Sequence, residues 1–90
     1  MTTNNFPKPR EKYYHFKHNP KIDDLNYCYE IVGIGKNTET SESVVIYKPL
    51  YDCGIELFVR SLDMFIEIVD KPEYNYLGPR FRQARQILEK

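Results

Sequence analysis

Apolar and polar positions alternate along the chain between residues 12 and 69. Five short stretches carry most of the apolar residues, and turn-forming residues stand between them: KYYHFK, LNYCYEIVGIG, SVVIYKPLY, IELFVRS and FIEIVD. Successive side chains of a strand point to opposite faces of a sheet, so this period of two predicts five short β-strands. No helical period interrupts them, and the range is predicted to be all-β.

A closed barrel accommodates such strands better than an open sheet, because closure buries one face of each strand and removes the exposed edges. We therefore predict a small SH3-like barrel over residues 11–70, bent at the GIG sequence of the second strand. In the fourth strand the alternation predicts Leu57 and Val59 in the core and Arg60 on the opposite face. The SLDMF sequence predicts a single helical turn, which the side chain of Ser61 begins by accepting from backbone N–H groups.

The segments on either side of this domain carry less apolar material. Residues 1–10 are predicted to form a disordered tail, and residues 71–90 a linker followed by a short C-terminal helix. The helix would begin at Pro79 and carry an apolar stripe that includes Phe81 and Leu88. This stripe could dock on the barrel or bind a partner.

Composition changes the expected character of the core. The 90-residue chain is 41% hydrophobic and contains 8 Tyr and 5 Phe but no Trp. One core is expected at this length, and it must come largely from aromatic rings, each of which buries on the order of 150–250 Å². Because tyrosine also has a polar hydroxyl, we expect half-exposed tyrosines on the outer surface, including Tyr47 and Tyr51.

Neither export nor a membrane span is predicted. The N-terminal MTTNNFPKPREK lacks the apolar run of a signal peptide, and no segment approaches the roughly 20 apolar residues that cross a bilayer. We therefore expect a cytoplasmic protein without a cofactor, in which Cys28 and Cys53 are reduced. Zinc binding by these cysteines together with His15 and His18 is the alternative, but the sequence has no C-x-x-C pair.

Charge is segregated along the chain although the net charge is 0. Residues 1–21 carry five Lys or Arg and one Glu (+4), residues 80–90 carry four and one (+3), and residues 22–79 carry four against eleven acids (−7). This distribution lacks the continuous positive face that drives sequence-independent phosphate binding. A nucleic acid would therefore have to contact the ends.

Read in order, the motifs YYHFK, YEIVGIGKNTET, VVIYKPLY and LFVRS resemble a family of small bacterial proteins, domain of unknown function 1653. The resemblance covers residues 12–69, with an echo in the later Pro-Arg-Phe, and it implies a compact β domain. The chain departs from the family pattern at three positions. Asn37 replaces the usual His, Phe58 the usual Trp, and Ser61 the usual Pro.

The candidate ligand-binding residues are polar residues at positions where these motifs are polar: His15, Thr38, Glu39, Thr40, Tyr47, Tyr51 and Arg60. The planar guanidinium of Arg60 could hold a carboxylate or a phosphate, and tyrosine rings could stack a flat ligand. The structural alternatives are an ion pair of Arg60 with Glu30 or Glu67, and tyrosines that only cover the barrel.

The loop GKNTETSES has two interpretations of the same kind. Its Asn, Thr and Ser side chains can satisfy backbone groups locally, which a plain hairpin connection requires. The Thr-Glu-Thr triplet also matches the family motif, and loops on rigid scaffolds often contact ligands.

These features favour a non-catalytic binding module for a peptide, an RNA segment or a small ligand. The first alternative is an interaction or assembly protein that forms homo-oligomers through a barrel edge or the C-terminal stripe of Phe81, Ile87 and Leu88. The second is a small hydrolase with His15 as its base. No nucleophile motif accompanies that histidine, and no residue is assigned a catalytic role.

Overall fold

The structure is a computed structural model that describes residues 6–84. Within this range the chain forms seven strands, one α-helical turn and one 3-10 turn. In chain order these are β1 (Lys12–His15), β2 (Cys28–Lys36), β3 (Ser43–Pro49), β4 (Phe58–Ser61), α1 (Leu62–Phe65), β5 (Ile68–Lys71), the 3-10 turn Pro72–Tyr74, β6 (Tyr76–Pro79) and β7 (Phe81–Gln83). The five strands predicted from the alternating pattern are all present, although several are shorter than expected.

The strands form two antiparallel sheets. The larger has the order β4-β3-β2-β1-β7, and the smaller is the β5–β6 hairpin. Between β2 and β3 the register shifts, because Ile31 pairs with Tyr47 and Gly33 with Ile46, which leaves Val32 as an extra residue. A β-bulge, a feature that sharpens the local twist of a sheet, thus directly precedes the GIG sequence at which a bend was predicted.

The larger sheet curls strongly, but the ladders of the described residues do not close into a barrel. Its two edge strands approach each other across the core, where the guanidinium carbon of Arg60 on β4 lies 5.6 Å from the ring centre of Phe81 on β7. The helical turn α1 packs beside this opening, with Phe65 stacked on Phe81 at a centroid distance of 4.0 Å. The prediction of a mostly β domain is confirmed, whereas a closed barrel is not formed.

The core is largely aromatic, as composition predicted. Tyrosines from β1, β2 and β3 meet Phe65 and Phe81, and many of these rings pack edge to face, the arrangement that aromatic quadrupoles favour. Two of the buried hydroxyl groups are satisfied within the core. Tyr29 shares a hydrogen bond of 2.8 Å with Tyr51, and the hydroxyl of Tyr47 accepts from Arg60 Nε at 3.2 Å.

The predicted faces of β4 are wrong. Leu57 and Val59 are 51% and 62% exposed, whereas Phe58 packs against the core. The ladder explains the inversion, because Phe58 pairs with the buried Tyr47 and so shares its face of the sheet. An aromatic ring on that face buries more surface than a valine, and it packs against the aromatic rings of the other strands.

The helical turn forms as predicted. Ser61 has an extended backbone conformation, and its hydroxyl accepts from the Met64 N–H at 3.2 Å. Leu62 and Phe65, one turn apart, are both buried. The turn therefore closes the core beside β4.

The C-terminal region differs from the prediction over residues 79–83. Pro79 ends β6 instead of beginning a helix, and Phe81 begins β7, which pairs with β1 in the register His15↔Phe81. Without this pairing β1 would present a free edge, and the Phe81 ring would leave the core. The remaining residues of the predicted stripe, Ile87 and Leu88, lie outside the described residues.

The first described residues also contact the sheet. Pro7 is buried, and the Arg10 N–H donates to the Ile31 carbonyl at 2.9 Å. Within residues 6–84, no helix is long and apolar enough to cross a membrane.

Candidate functional site

A cleft of about 280 Å³ opens where β1 ends. Four parts of the fold form its walls: the end of β1, the inner face of β4, the β5–β6 hairpin with its 3-10 turn, and the junction of β6 with β7. Most of the lining side chains are charged: His15, Phe16, Lys17, Arg60, Lys71, Glu73, Tyr74 and Arg80. Two predicted site residues, His15 and Arg60, are therefore brought together.

His15 forms a buried, neutral wall of the cleft. Its Nδ1 accepts the Lys17 backbone N–H at 3.1 Å, so the neutral ring carries its proton on Nε2. The pKa of the ring is lowered to about 4, first by burial and then by the positive charges of four cleft residues: Arg60, Lys17, Arg80 and Lys71. Among the described residues no group accepts from Nε2, which leaves a hydrogen-bond donor for a ligand.

Arg60 reaches the cleft along the inner face of β4. Its Nε donates to the Tyr47 hydroxyl and its guanidinium lies over the Phe81 ring, so that two core residues hold it in place. Arg60 forms no ion pair with Glu30 or Glu67, the two partners considered above. Glu67 pairs with Arg80 instead. In the described part of the chain the guanidinium has no carboxylate partner.

Lys17 and Lys71 are the other two cations of the cleft that lack a carboxylate partner among residues 6–84. The Nζ of Lys17 lies 5.9 Å from the ring centre of Tyr74, and that of Lys71 lies 5.9 Å from the ring centre of Phe16. Cation–π contacts of this kind are weak at exposed sites, so both ammonium groups stay available to an anion.

Arg80 has a structural role at the back of the cleft. Its Nη2 forms an ion pair with Glu67 at 2.9 Å, and its Nε donates to the Met64 carbonyl at 3.1 Å. These contacts tie the junction of β6 and β7 to α1.

Tyr47 and Tyr51 do not form the exposed stacking surface that we expected. Tyr47 is only 4% exposed, since its side chain points into the core, and Tyr51 packs partly buried against it. Burial raises the pKa of Tyr51, whose hydroxyl is hydrogen-bonded to Tyr29. Tyr47 contributes to the cleft indirectly, by holding Arg60.

The loop between β2 and β3 does not line the cleft. Thr38, Glu39 and Thr40 are exposed, and none of them is among the residues that line the cleft. Asn37 Oδ1 accepts from the backbone N–H groups of Glu39 and Thr40 at 2.9 and 3.3 Å. This local hydrogen bonding is what a plain hairpin connection requires.

The lining residues of the cleft include no serine, threonine or cysteine that could act as a nucleophile. A histidine with a pKa near 4 is also a weak general base at neutral pH. Away from the cleft, burial raises the pKa of the Cys28 thiol to about 12, and both cysteines are free. Within residues 6–84 no group of three His, Cys, Asp or Glu side chains is placed to hold a metal ion.

Sequence reasoning missed most of the cleft. Lys17 ends the first predicted strand, whereas Lys71 and Glu73 belong to the predicted linker, and their proximity depends on how the β5–β6 hairpin folds over β1. For Arg80 a signal existed, because it lies in the Pro-Arg-Phe echo of the family motif. No sequence signal indicated that Tyr74 would line the cleft.

The fold and the cleft define a small, mostly β domain with a basic recess of ligand size. The chain belongs to the family described as protein of unknown function DUF1653, whose model matches residues 11–83. It is similar to a solved structure, the crystal structure of a DUF1653 protein from Bordetella bronchiseptica. The identity is 28% and the TM-score 0.68, over 89% of this chain and 88% of that one. The resemblance found in the motifs is thus confirmed. No curated protein matches the chain.

Proposed function

We propose that the protein is a non-catalytic binding module that holds an anionic ligand in the cleft beside His15. The observation that carries the proposal is that one cleft is lined by three cations, Lys17, Arg60 and Lys71, none of which has a carboxylate partner among the described residues. Glu73 is the single acidic side chain among the lining residues.

The electrostatics of the cleft support an anion in particular. Like charges that share a recess repel one another, and each disfavours a further positive charge. Burial is the largest cause of the low pKa of His15, and the charges of Arg60, Lys17, Arg80 and Lys71 lower it further. A bound anion would relieve the repulsion and accept hydrogen bonds from the same groups.

The size of the cleft favours a small ligand or a single anionic group of a larger one. A volume of about 280 Å³ lies at the lower end of ordinary ligand pockets, which span roughly 300–1,000 Å³. The peptide and RNA hypotheses therefore correspond to one side chain or one phosphate entering the recess.

The test is an NMR titration of the full chain with sodium phosphate and, separately, sodium acetate, at constant ionic strength. We expect saturable shifts of the backbone amides of Lys17, Arg60 and Lys71 with at least one of the two anions. The Arg60→Gln variant should weaken the effect, whereas Arg82→Gln, which removes an arginine outside the cleft, should not. Unmoved cleft amides with both anions would disprove the proposal.

We also propose that the protein works in the reducing cytoplasm of a bacterium. Two unpaired thiols, one of them on the exposed Cys53, suit such a compartment, and the similar solved structure comes from a bacterium.

A further inference from the structure

Resting on the proposed function, we propose that the cleft selects the phosphate monoester of a small planar molecule over a carboxylate of the same shape. The monoester group would lie among Arg60, Lys71, Lys17 and His15 Nε2, and the planar part would stack on Tyr74 at the mouth.

Charge matching is the first argument. Lys17, Arg60 and Lys71 supply three positive charges and Glu73 one negative charge, while the charge of Arg80 is balanced by Glu67. The difference, 3 minus 1, is +2. A phosphate monoester carries about −1.5 to −2 at neutral pH, whereas a carboxylate carries −1. The monoester therefore neutralises the recess and the carboxylate leaves it positive.

The arrangement of donors is the second argument. The donors converge from three separate elements: Lys17 and His15 from the end of β1, Arg60 from β4 and Lys71 from β5. A planar carboxylate presents two oxygens in one plane, which suits a single arginine fork. A phosphoryl group presents three terminal oxygens in a tetrahedral arrangement, so it can accept from donors on several sides at once.

Tyr74 is the third argument, because it supplies a surface for the organic part of the ligand. It lines the cleft, is 46% exposed, and stands perpendicular to Phe16 at a centroid distance of 5.3 Å. The Phe16 contact fixes the ring, and stacking of a planar group on a fixed aromatic face favours binding. Phe16 is itself fixed by Tyr76, on which it stacks.

The experiment compares phenyl phosphate with benzoate, two ligands that share a ring and differ in the anion. Titration of the full chain, followed by NMR at constant ionic strength, should give a dissociation constant roughly tenfold lower for phenyl phosphate, from the added charge near the unpaired cations. The Lys71→Met variant should reduce this preference, whereas Lys48→Met, which removes an exposed lysine of β3, should preserve it.

The pH dependence gives an independent readout. The charged or titratable groups that face His15 are Lys17, Arg60, Lys71, Arg80, Glu73 and Tyr27. Because the pKa of His15 is lowered to about 4, its ring stays neutral between pH 5.5 and 7.5. The second ionisation of a phosphate monoester falls near pH 6. Affinity for phenyl phosphate should therefore rise with pH across this window, while affinity for benzoate stays constant.

The role of Tyr74 is tested with inorganic phosphate as the ringless probe. Tyr74→Ala should weaken phenyl phosphate and leave inorganic phosphate unchanged, whereas Leu77→Ala, on an exposed position of the same hairpin, should change neither. Equal affinities for benzoate and phenyl phosphate would overturn the inference and leave the proposed function standing. Cleft amides that respond to none of the three probes would overturn both.

Discussion

His15 joins the core to the cleft at the scale of a single residue. The His15 ring stands nearly perpendicular to the Phe81 ring, with 5.0 Å between the two ring centres, and its Nδ1 accepts a hydrogen bond from the Lys17 backbone N–H. A histidine in this position must stay neutral, because burial and four nearby cations oppose its protonation. Neutrality keeps Nδ1 an acceptor for the Lys17 amide, and the ring adds no charge to the cleft near pH 7.

This arrangement predicts a loss of stability in mild acid. The folded pKa of His15, about 4, lies below the unfolded value of about 6.5. Below pH 6.5 the unfolded chain therefore binds a proton at His15 that the folded chain does not bind. The free energy of unfolding falls as a result, until the pH reaches the folded pKa. Between pH 7 and 4 the contribution of His15 amounts to at most about 3 kcal/mol.

Urea unfolding of the wild-type chain and His15→Gln over this pH range measures the effect. The other titratable groups are the same in both proteins, so their contributions cancel in the difference. We expect the stability of the wild-type chain to fall more steeply with acid than that of the variant. Parallel curves would show that His15 titrates normally in the folded protein.

Residue chemistry singled out His15 and Arg60 because they are polar residues at positions where the family motifs are polar. The fold brings both to one cleft, although their strands β1 and β4 are not neighbours in the sheet. Residue chemistry misjudged Tyr47. A tyrosine fits an outer surface and a core equally well, and its position depends on whether the hydroxyl finds a partner. Here Arg60 supplies that partner, which only the pairing of β3 with β4 reveals.

At the scale of elements, β4 determines where Arg60 points. Phe58 and Arg60 occupy the inner face because they pair with Tyr47 and Val45, both buried on β3. If the register moved by one residue, every side chain of β4 would change face, and Arg60 would leave the cleft.

Two neighbouring substitutions test this register. Val59→Thr keeps a β-branched side chain on the outer face, so the free energy of unfolding should change by less than about 0.5 kcal/mol. Phe58→Ala removes a ring that packs on Tyr29 and Tyr47, and it should cost about 2–3 kcal/mol, less than a fully buried phenylalanine. Chemical denaturation of both variants shows which face of β4 packs on the core. A larger loss for Val59→Thr than for Phe58→Ala would place the valine in the core.

Five strands could be predicted from the sequence because each has its own alternating pattern. No such pattern marks β6 and β7, which were not predicted. The YLGP of β6 contains Gly78 and Pro79, which locally favour a turn or a helix start. The strand conformation of β6 comes from its hairpin partner β5, and that of β7 from β1, which is distant in sequence. The same reason explains the missed cleft residues, since Lys71 and Tyr74 reach β1 only through the hairpin.

At the scale of the whole molecule, folding brings together charges that the sequence separates. Lys17 belongs to the basic N-terminal segment and Arg80 to the basic C-terminal one, and both line the same recess as Arg60 and Lys71 from the acidic middle. A chain with no net charge thus acquires a locally positive cleft. This concentration depends on β7, because the pairing of His15 with Phe81 holds the two ends side by side.

Phe81 is therefore the residue on which core and cleft both depend. Its ring stacks on Phe65, contacts His15 and lies under Arg60, and it is 5% exposed. Phe81→Ala should cost about 3–5 kcal/mol, much of the roughly 5–15 kcal/mol that stabilises an ordinary domain. Leu77→Ala removes an apolar side chain that is mostly exposed, and it should cost less than about 0.5 kcal/mol.

Thermal and urea unfolding of the two variants, followed by circular dichroism, gives both free energies. If Phe81→Ala were as stable as Leu77→Ala, β7 would not complete the sheet, and the cleft would lose the strand that holds Arg80 opposite His15. A large loss confined to Phe81→Ala would instead establish that the last strand supports the core, and the same ring contacts His15 and Arg60, which line the cleft.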